Sequence, residues 1–422
     1  MCEMISSGKG ILIAKEVTIA SIEYETNIDE FTLYLKFSQK LSMKEKNGIY
    51  GTIIIESMME KEYTFFNCVC TKINDYECTL IFLMVVEGKY QIEIDEIPCS
   101  SIEYVINAEP VPMSLGAFLP KKNRIDGENI DIEFETNEKG IEVELSSDNG
   151  DKPLRIFENV FFNILDYLFI AEGYYPYIVN EKFVTQKIKV EILRRQQYIY
   201  VKGNSESHWT KRLAAGRDID LNRIYPKYLD IVEKNPLIIP VMRNVSHNNN
   251  MYAELILCNL IQCVEGYMRK MHIKDKYDKN IVKNVKLIIA EALTSKCEIP
   301  SDAGVDIDQI NNSVCGCVSG INKPSFMECL KMAFELNENT KLILLKECRE
   351  DKINKFYNKS KNIRNQFSHM IKKEDVFCEG LELSKVIKKY ELLLRVLVLS
   401  DLGIKICGLK ELVNEIDNLE VF

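Results

Sequence analysis

Arg364-Asn365-Gln366-Phe367-Ser368-His369 brings a permanent cation, an amide and an imidazole into one hexapeptide. Asn365 and His369 are four apart, so on a helix they share a face. Arg364 adjoins Asn365, and its long side chain can turn toward the same side. These residue types suit phosphodiester chemistry. Arginine holds phosphate bidentately and stabilises charge developing on it. Histidine can take a proton from a ribose 2′-hydroxyl or give one to the leaving 5′-oxygen. Asparagine can orient the imidazole or bind a non-bridging oxygen. Such a reaction uses no metal and requires the 2′-hydroxyl, which restricts it to RNA. The competing reading of Arg364 and His369 is a helix-surface arginine with an ordinary histidine.

Charge around the hexapeptide favours the first reading. Asp351–Lys373 holds seven Lys or Arg against one acid. Within it Lys359, Lys361, Lys372 and Lys373 are candidate RNA contacts, although charge runs are more often solvated helix faces. The rest of the chain is differently charged. Residues 1–220 hold 24 basic and 36 acidic side chains, and residues 221–422 hold 30 and 27. An acidic front half is a poor nucleic-acid surface, but it can mimic nucleic acid and cover a basic cleft. A second string, Arg243-Asn244-Val245-Ser246-His247, looks similar with one residue fewer. It lies among turn-forming residues and reads as loop.

Other chemistries find little support. The chain has no phosphate-binding GxxxxGK[ST], no GxGxxG, no HExxH and no GxSxG. Its 14 cysteines are scattered apart from Cys68/Cys70 and Cys315/Cys317, and paired C-x2-C knuckles are missing. No metal and no cofactor are expected. No apolar run approaches the ~20 residues of a membrane span. The N-terminus shows no secretory pattern, so a cytoplasmic protein with reduced thiols is expected.

The elements that must position the hexapeptide follow from hydrophobic period. The chain has 422 residues, enough for two or three domains. Residues 1–215 read as a β-rich, antiparallel domain. Phe31–Phe37 alternates, and Ile53–Ile55, Tyr63–Cys70 and Leu80–Val86 are strand-like runs. Ile130–Glu135 and Ile141–Leu145 are spaced as a hairpin, and Lys187–Leu193 with Gln196–Val201 form another candidate pair. One helix, Val160–Ala171, interrupts them and ends at Gly173. Tyr174-Tyr175-Pro176-Tyr177 is a candidate ligand-sensing spot, with packing the plainer account. His208 and Trp209 carry no assigned chemistry. Residues 216–249 read as a junction with a short helix near Pro226–Glu233.

From 250 to 422 the period changes to that of helices. Met251–Met271 has Asn250 available as its cap, Asp278 opens a helix to about Leu293, and Asp306–Ile321 forms a third. Ser325 and Glu328 have capping-box spacing. Helical pattern runs from Lys341 to Ile371 with a break near Asp351. Leu381–Leu402 is strongly apolar and Leu409–Leu419 closes the set. The class is α+β, a β-rich domain followed by an all-α bundle.

A bundle of this size with R-N-x3-H on a long helix and a basic flank resembles the HEPN superfamily. RNQFSH fits its pattern of an arginine, an adjoining polar residue and a histidine after four to six intervening positions. The helix LILCNLIQCVEGY, with Glu265 after a hydrophobic run, is similar to the first long helix of the Apea-like HEPN family. The β-rich front domain is similar in layout to the ApeA-type anti-phage defence proteins. The resemblance implies a metal-independent endoribonuclease, dimeric through the bundle, with Arg364, Asn365 and His369 catalytic. Glu265 is a candidate polar member of the cleft; a helix-surface carboxylate is the other reading. The front domain would then restrain or sense, with a phage protein as trigger, and RNA cleavage would serve abortive defence. Some HEPN proteins are catalytically silent interaction modules or toxins of toxin–antitoxin pairs, and both stand as alternatives. A two-histidine mechanism also calls for a homodimer, with Leu392–Leu399 the candidate interface and core burial within one chain the alternative.

Overall fold

The computed structural model describes residues 7–418 other than 15–16, 28–30, 59–60, 83, 88, 91–93, 108–121, 138–139, 174–176, 185–188, 195–212, 215–219, 248–251, 275–276, 297–306, 322, 345–349, 370–375 and 377–379. The chain divides into two compact units, one of residues 1–209 with 215–226, the other of 210–214 with 227–422.

Among the described residues the first unit is β-rich with one long helix, and its strand pairings are all antiparallel. In chain order it holds β1 (Ser7–Ala14), β2 (Val17–Asn27), β3 (Thr32–Phe37), the one-turn helix α1 (Met43–Lys46), β4 (Gly51–Ser57), β5 (Glu62–Ile73), β6 (Glu77–Ile81) and β7 (Met84–Glu87). There follow β8 (Pro98–Cys99), β9 (Ser101–Asn107), β10 (Lys122–Ile125), β11 (Ile130–Asn137), β12 (Gly140–Ser146), β13 (Lys152–Pro153), α2 (Leu154–Glu172), β14 (Tyr177–Val184) and β15 (Lys189–Arg194).

Strands β1 to β6 close on themselves, because the long β5 pairs with β4 along its first half and with β6 along its second. Closure removes exposed strand edges. Inward positions are apolar: Leu12, Leu33, Leu35, Ile53, Ile55, Phe65 and Leu80 are all buried in one cluster. The run Leu80–Val86, expected as one strand, breaks at Phe82. β6 pairs with β3 and β5, whereas β7 moves to the other half of β5 and to β15. Phe82 fills the corner, edge-on to Phe65 at 5.0 Å.

From β7 the sheet continues through β15, β14, β9, β12 and β11 to β10. The expected hairpin is present, with Phe134 opposite Val143. The partner of Lys187–Leu193 is different from that expected: β15 pairs upstream with β14, and residues 196–201 lie outside the described residues. Helix α2 starts at Leu154, earlier than periodicity suggests, and ends where Gly173 adopts φ 84°, a conformation suited to glycine. It covers the sheet with Phe157, Phe161 and Leu165, and the Phe161 ring stacks on Tyr104 at 3.5 Å.

Helix α3 (Leu221–Lys234) carries the chain into the second unit. This unit continues with α4 (Ile238–His247), α5 (Ala253–Met271), α6 (Lys279–Lys296), α7 (Ile307–Ile321), α8 (Phe326–Glu335), α9 (Glu338–Leu342), α10 (Glu350–His369), α11 (Leu381–Asp401) and α12 (Leu409–Asp417). The stretch 216–249, expected as a junction with one short helix, thus carries α3 and α4. The Arg243–His247 string, expected as loop, is the end of α4. Buried Ile238, Ile239 and Met242 supply the helical stripe that outweighs its turn formers.

Local signals set the helix starts. Asp278 accepts from the Asn280 amide at 2.7 Å ahead of α6. Ser325 and Glu328 form the expected capping box at α8. Tyr252, without a side-chain bond, precedes α5, and Asn250 lies outside the described residues. The helical break expected near Asp351 comes before it, between α9 and α10.

Helix α11 is the centre of this unit, packed against α5, α8, α9 and α12. Every residue from Leu392 to Leu399 is buried within its own chain, which corrects their assignment to a dimer surface. All but Arg395 are apolar, and a helical stretch buried on every side is core, not interface. Two polar links cross this core. Lys389 pairs with Asp417 at 3.1 Å, and the Tyr390 hydroxyl donates to Ser360 at 2.7 Å. Helices α6 and α7 pack on each other, and α6 leaves Ile281, Leu287 and Ile288 exposed.

Candidate functional site

Helices α5 and α10 lie against each other and carry the polar residues singled out in the sequence. Helix α5 buries Leu257, Leu260, Ile261, Val264 and Met268. That leaves Gln262, Glu265 and Arg269 along a different stripe, spaced three and four apart. Helix α10 buries Phe356, Tyr357, Ser360 and Ile363. Arg364, Asn365 and Ser368 follow on its last turns, and two acids, Glu350 and Asp351, sit at its start where the helix dipole favours them.

The contacts tie the two stripes together. Gln262 Nε2 donates to Ser368 Oγ at 3.1 Å. Arg364 Nη1 donates to Asn365 Oδ1 at 3.2 Å, and Arg364 Nη2 stands 3.5 Å from Glu265 Oε2. The guanidinium carbon lies 5.6 Å from the centre of the Phe326 ring, at the start of α8. The Arg364 side chain is 27% exposed and that of Glu265 14%. Arg364 Nε is buried with no hydrogen-bond partner among the described residues. The Cys258 thiol, pushed up by burial, is opposed in that shift by the nearby Arg364 charge. A guanidinium held from three sides and still open to solvent is arranged to meet an anion.

Position 369 is the last of α10, one turn beyond Asn365; the side chain of His369, with Lys372 and Lys373, lies outside the described residues. Asn365 engages Arg364, so here it orients the guanidinium. Lys361 is exposed. Lys359 is not a surface contact: it is 8% exposed, and its ammonium donates to Glu382 at 2.8 Å. The turn of α10 that carries Lys359 faces α11, and the start of α11 supplies the counter-charge. The aromatic string Tyr174–Tyr177, His208 and Trp209 lie outside what the structure describes at side-chain level.

Three residues absent from the sequence assignment share this site: Gln262, Arg269 and Phe326. Arg269 donates to Glu265 Oε1 from Nε at 3.1 Å and from Nη2 at 2.9 Å. Its signal was available in the four-residue spacing from Glu265. Phe326, from a separate helix, had none. His272 turns elsewhere: its Nε2 lies 2.9 Å from Asp401 Oδ2, and the Tyr267 hydroxyl donates to the same oxygen. Burial and the Asp401 charge push the Tyr267 hydroxyl far up.

Among the described residues, no helix is long and apolar enough to cross a membrane. The family model described as Apea-like HEPN matches residues 258–405, a span from α5 past the end of α11. No curated protein and no solved structure matches the chain.

Proposed function

We propose, from the match of residues 258–405 to the Apea-like HEPN family, that the chain is a metal-independent endoribonuclease acting in anti-phage defence. One observation supports this reading above others: Arg364 is fixed by Asn365 and Glu265 on a face shared by α5 and α10, one turn before His369. In the proposed reaction His369 takes the proton of a ribose 2′-hydroxyl. The freed oxygen attacks the adjacent phosphorus, and Arg364 stabilises the charge that builds on the non-bridging oxygens. Asn365 and Glu265 keep the guanidinium aimed without becoming reactants. A second proton source must meet the leaving 5′-oxygen, and a second copy of the chain supplies it through its own His369. Lys361 draws the RNA backbone in from the rim, as do Lys372 and Lys373. The β-rich unit serves as the sensor or restraint, with a phage protein as its trigger, and the protein acts in the cytoplasm.

The test is cleavage of total RNA by the purified full chain with a chelator present, compared with Arg364→Ala. Cleavage by the wild type alone supports the reading. Equal cleavage by both, or by neither after exposure to phage-infected extract, removes it.

A second reading, a silent module that binds RNA without cutting it, draws on the engagement of Arg364 by Glu265. A carboxylate at 3.5 Å offsets part of the charge that a phosphorane needs. RNA binding without cleavage under every condition favours it.

A further inference from the structure

Glu265 serves two guanidinium groups on two helices. Its Oε1 accepts both hydrogen bonds from Arg269, and its Oε2 faces Arg364 Nη2. One carboxylate cannot neutralise two permanent cations, so the cluster keeps a surplus positive charge. The surplus is accessible: the Arg269 side chain is 28% exposed and that of Arg364 27%. Apart from Glu265, no acceptor among the described residues takes a hydrogen bond from Arg269. Its remaining N–H donors are therefore open to a ligand. The two arginines are held at a spacing set by one carboxylate, on facing helices that also share the Gln262–Ser368 bond.

An isolated Glu–Arg pair four apart on a helix is a common surface feature that binds nothing. The link from Glu265 across to Arg364 distinguishes this one, because it makes Arg269 part of the candidate cleft. Rigid, partly desolvated guanidinium groups with spare donors are the side chains best suited to phosphate.

We propose that Arg269 is a phosphate-binding residue of the same cleft. It contacts the phosphate next to the one at Arg364, and Glu265 is a positioning residue that spaces the two guanidinium groups. The choice of RNA as the ligand rests on the proposed function above. The two arginines then read two successive phosphates of a single strand, with no selection among bases. Phosphate repeats along the strand explain why one cation is not enough: the second fixes which bond lies over Arg364 and His369.

The experiment measures binding of the full chain to a short 2′-O-methyl oligoribonucleotide with a chelator present. This probe lacks the attacking hydroxyl and stays intact. Affinity is followed across a salt series for the wild type, Arg269→Ala, and the pair Glu265→Gln with Arg269→Gln. The paired variant keeps the cluster's net charge, so it separates a phosphate contact from a general change in field. Arg269→Ala is expected to weaken binding roughly tenfold or more. Both variants are expected to lower the slope of log affinity against log salt by about 0.7, the value for one contact on a single strand. Thermal melts identify any variant that fails to fold, and the paired variant, with no buried carboxylate left unpaired, then decides. Wild-type slopes in the folded variants overturn the proposal, as does a wild type that does not bind the probe. Loss of slope in a protein that never cleaves RNA leaves the phosphate contact standing and removes the nuclease reading alone.

Discussion

The Arg364 guanidinium stands 3.5 Å from the Glu265 carboxylate, on helices that the sequence separates by most of the bundle. In the proposed function that ion pair would fix where an incoming phosphate meets the domain, and the phosphate would have to compete with a carboxylate already in place. The Asn365 amide takes another donor of the same guanidinium, at 3.2 Å. A side chain shared in this way has few rotamers left, and so loses little entropy when it binds.

The first prediction concerns the two motif positions. Arg364→Ala and His369→Ala should each lower RNA cleavage by ~10²–10⁴-fold, the range for removing a general base or a charge clamp. Arg364→Ala should fold normally, because Glu265 keeps its bonds to Arg269. Gel assays of cleavage beside thermal melts check this. Near wild-type cleavage by either variant would refute the assignment.

The chemistry makes a second prediction about products. With the 2′-hydroxyl as nucleophile, fragments should end in 2′,3′-cyclic phosphate or 3′-phosphate, with 5′-hydroxyls on the other side. Chelators should not slow the reaction. Enzymatic end-labelling of the products reads this directly. A 5′-phosphate, or strict need for a divalent ion, would indicate metal-assisted hydrolysis.

How much of this was legible in the sequence depends on range. The placement of RNQFSH late on a long helix could be read because helical period is local, with Asn365 and His369 four residues apart. The capping box at Ser325 and the hairpin around Phe134 and Val143 are local too. Lys359 was misread as a surface cation because its partner, Glu382, belongs to another helix. Leu392–Leu399 is apolar in a way that fits an interface or a core, and only the packing of α5, α8, α9 and α12 decides. Strand β9 buries Ile102, Tyr104 and Ile106 at alternate positions with Glu103 between them, a period-two signal as local as that of the hairpin strands. Phe326 came from a third helix, so no spacing rule reaches it.

A third prediction tests the bundle's core. Lys389 and Asp417 are almost fully buried, at 4% and 9% exposure of their side chains. Removing one partner deprives the other, buried charge of this counter-charge. Lys389→Met or Asp417→Leu alone should therefore cost ~3–5 kcal/mol, whereas replacing both by apolar residues of similar volume should cost much less or stabilise. Urea unfolding of Lys389→Met, Asp417→Leu and the double variant checks this. A double variant as unstable as the sum of the singles would show that the pair is not a closed unit.

The last prediction concerns assembly. In-line cleavage at a 2′-hydroxyl needs a base on one side of phosphorus and an acid on the other. One chain brings one motif histidine, His369. His272 cannot substitute, since it pairs with Asp401 at 2.9 Å and that carboxylate also binds the Tyr267 hydroxyl. A two-fold axis near the end of α10 would set two copies of Arg364 and His369 against each other. The clustered cations repel, and part of that repulsion is offset by Glu265, which each chain already holds beside its arginines. The interface cannot be Leu392–Leu399, because those side chains are spent on the core. Activity per chain should therefore fall on dilution below the dimer dissociation constant, and mass in solution should fall with it. Light scattering and initial cleavage rates over the same concentration series make the comparison. A monomer that cleaves RNA at an undiminished rate per chain would exclude the shared site and require both proton transfers to run through one His369.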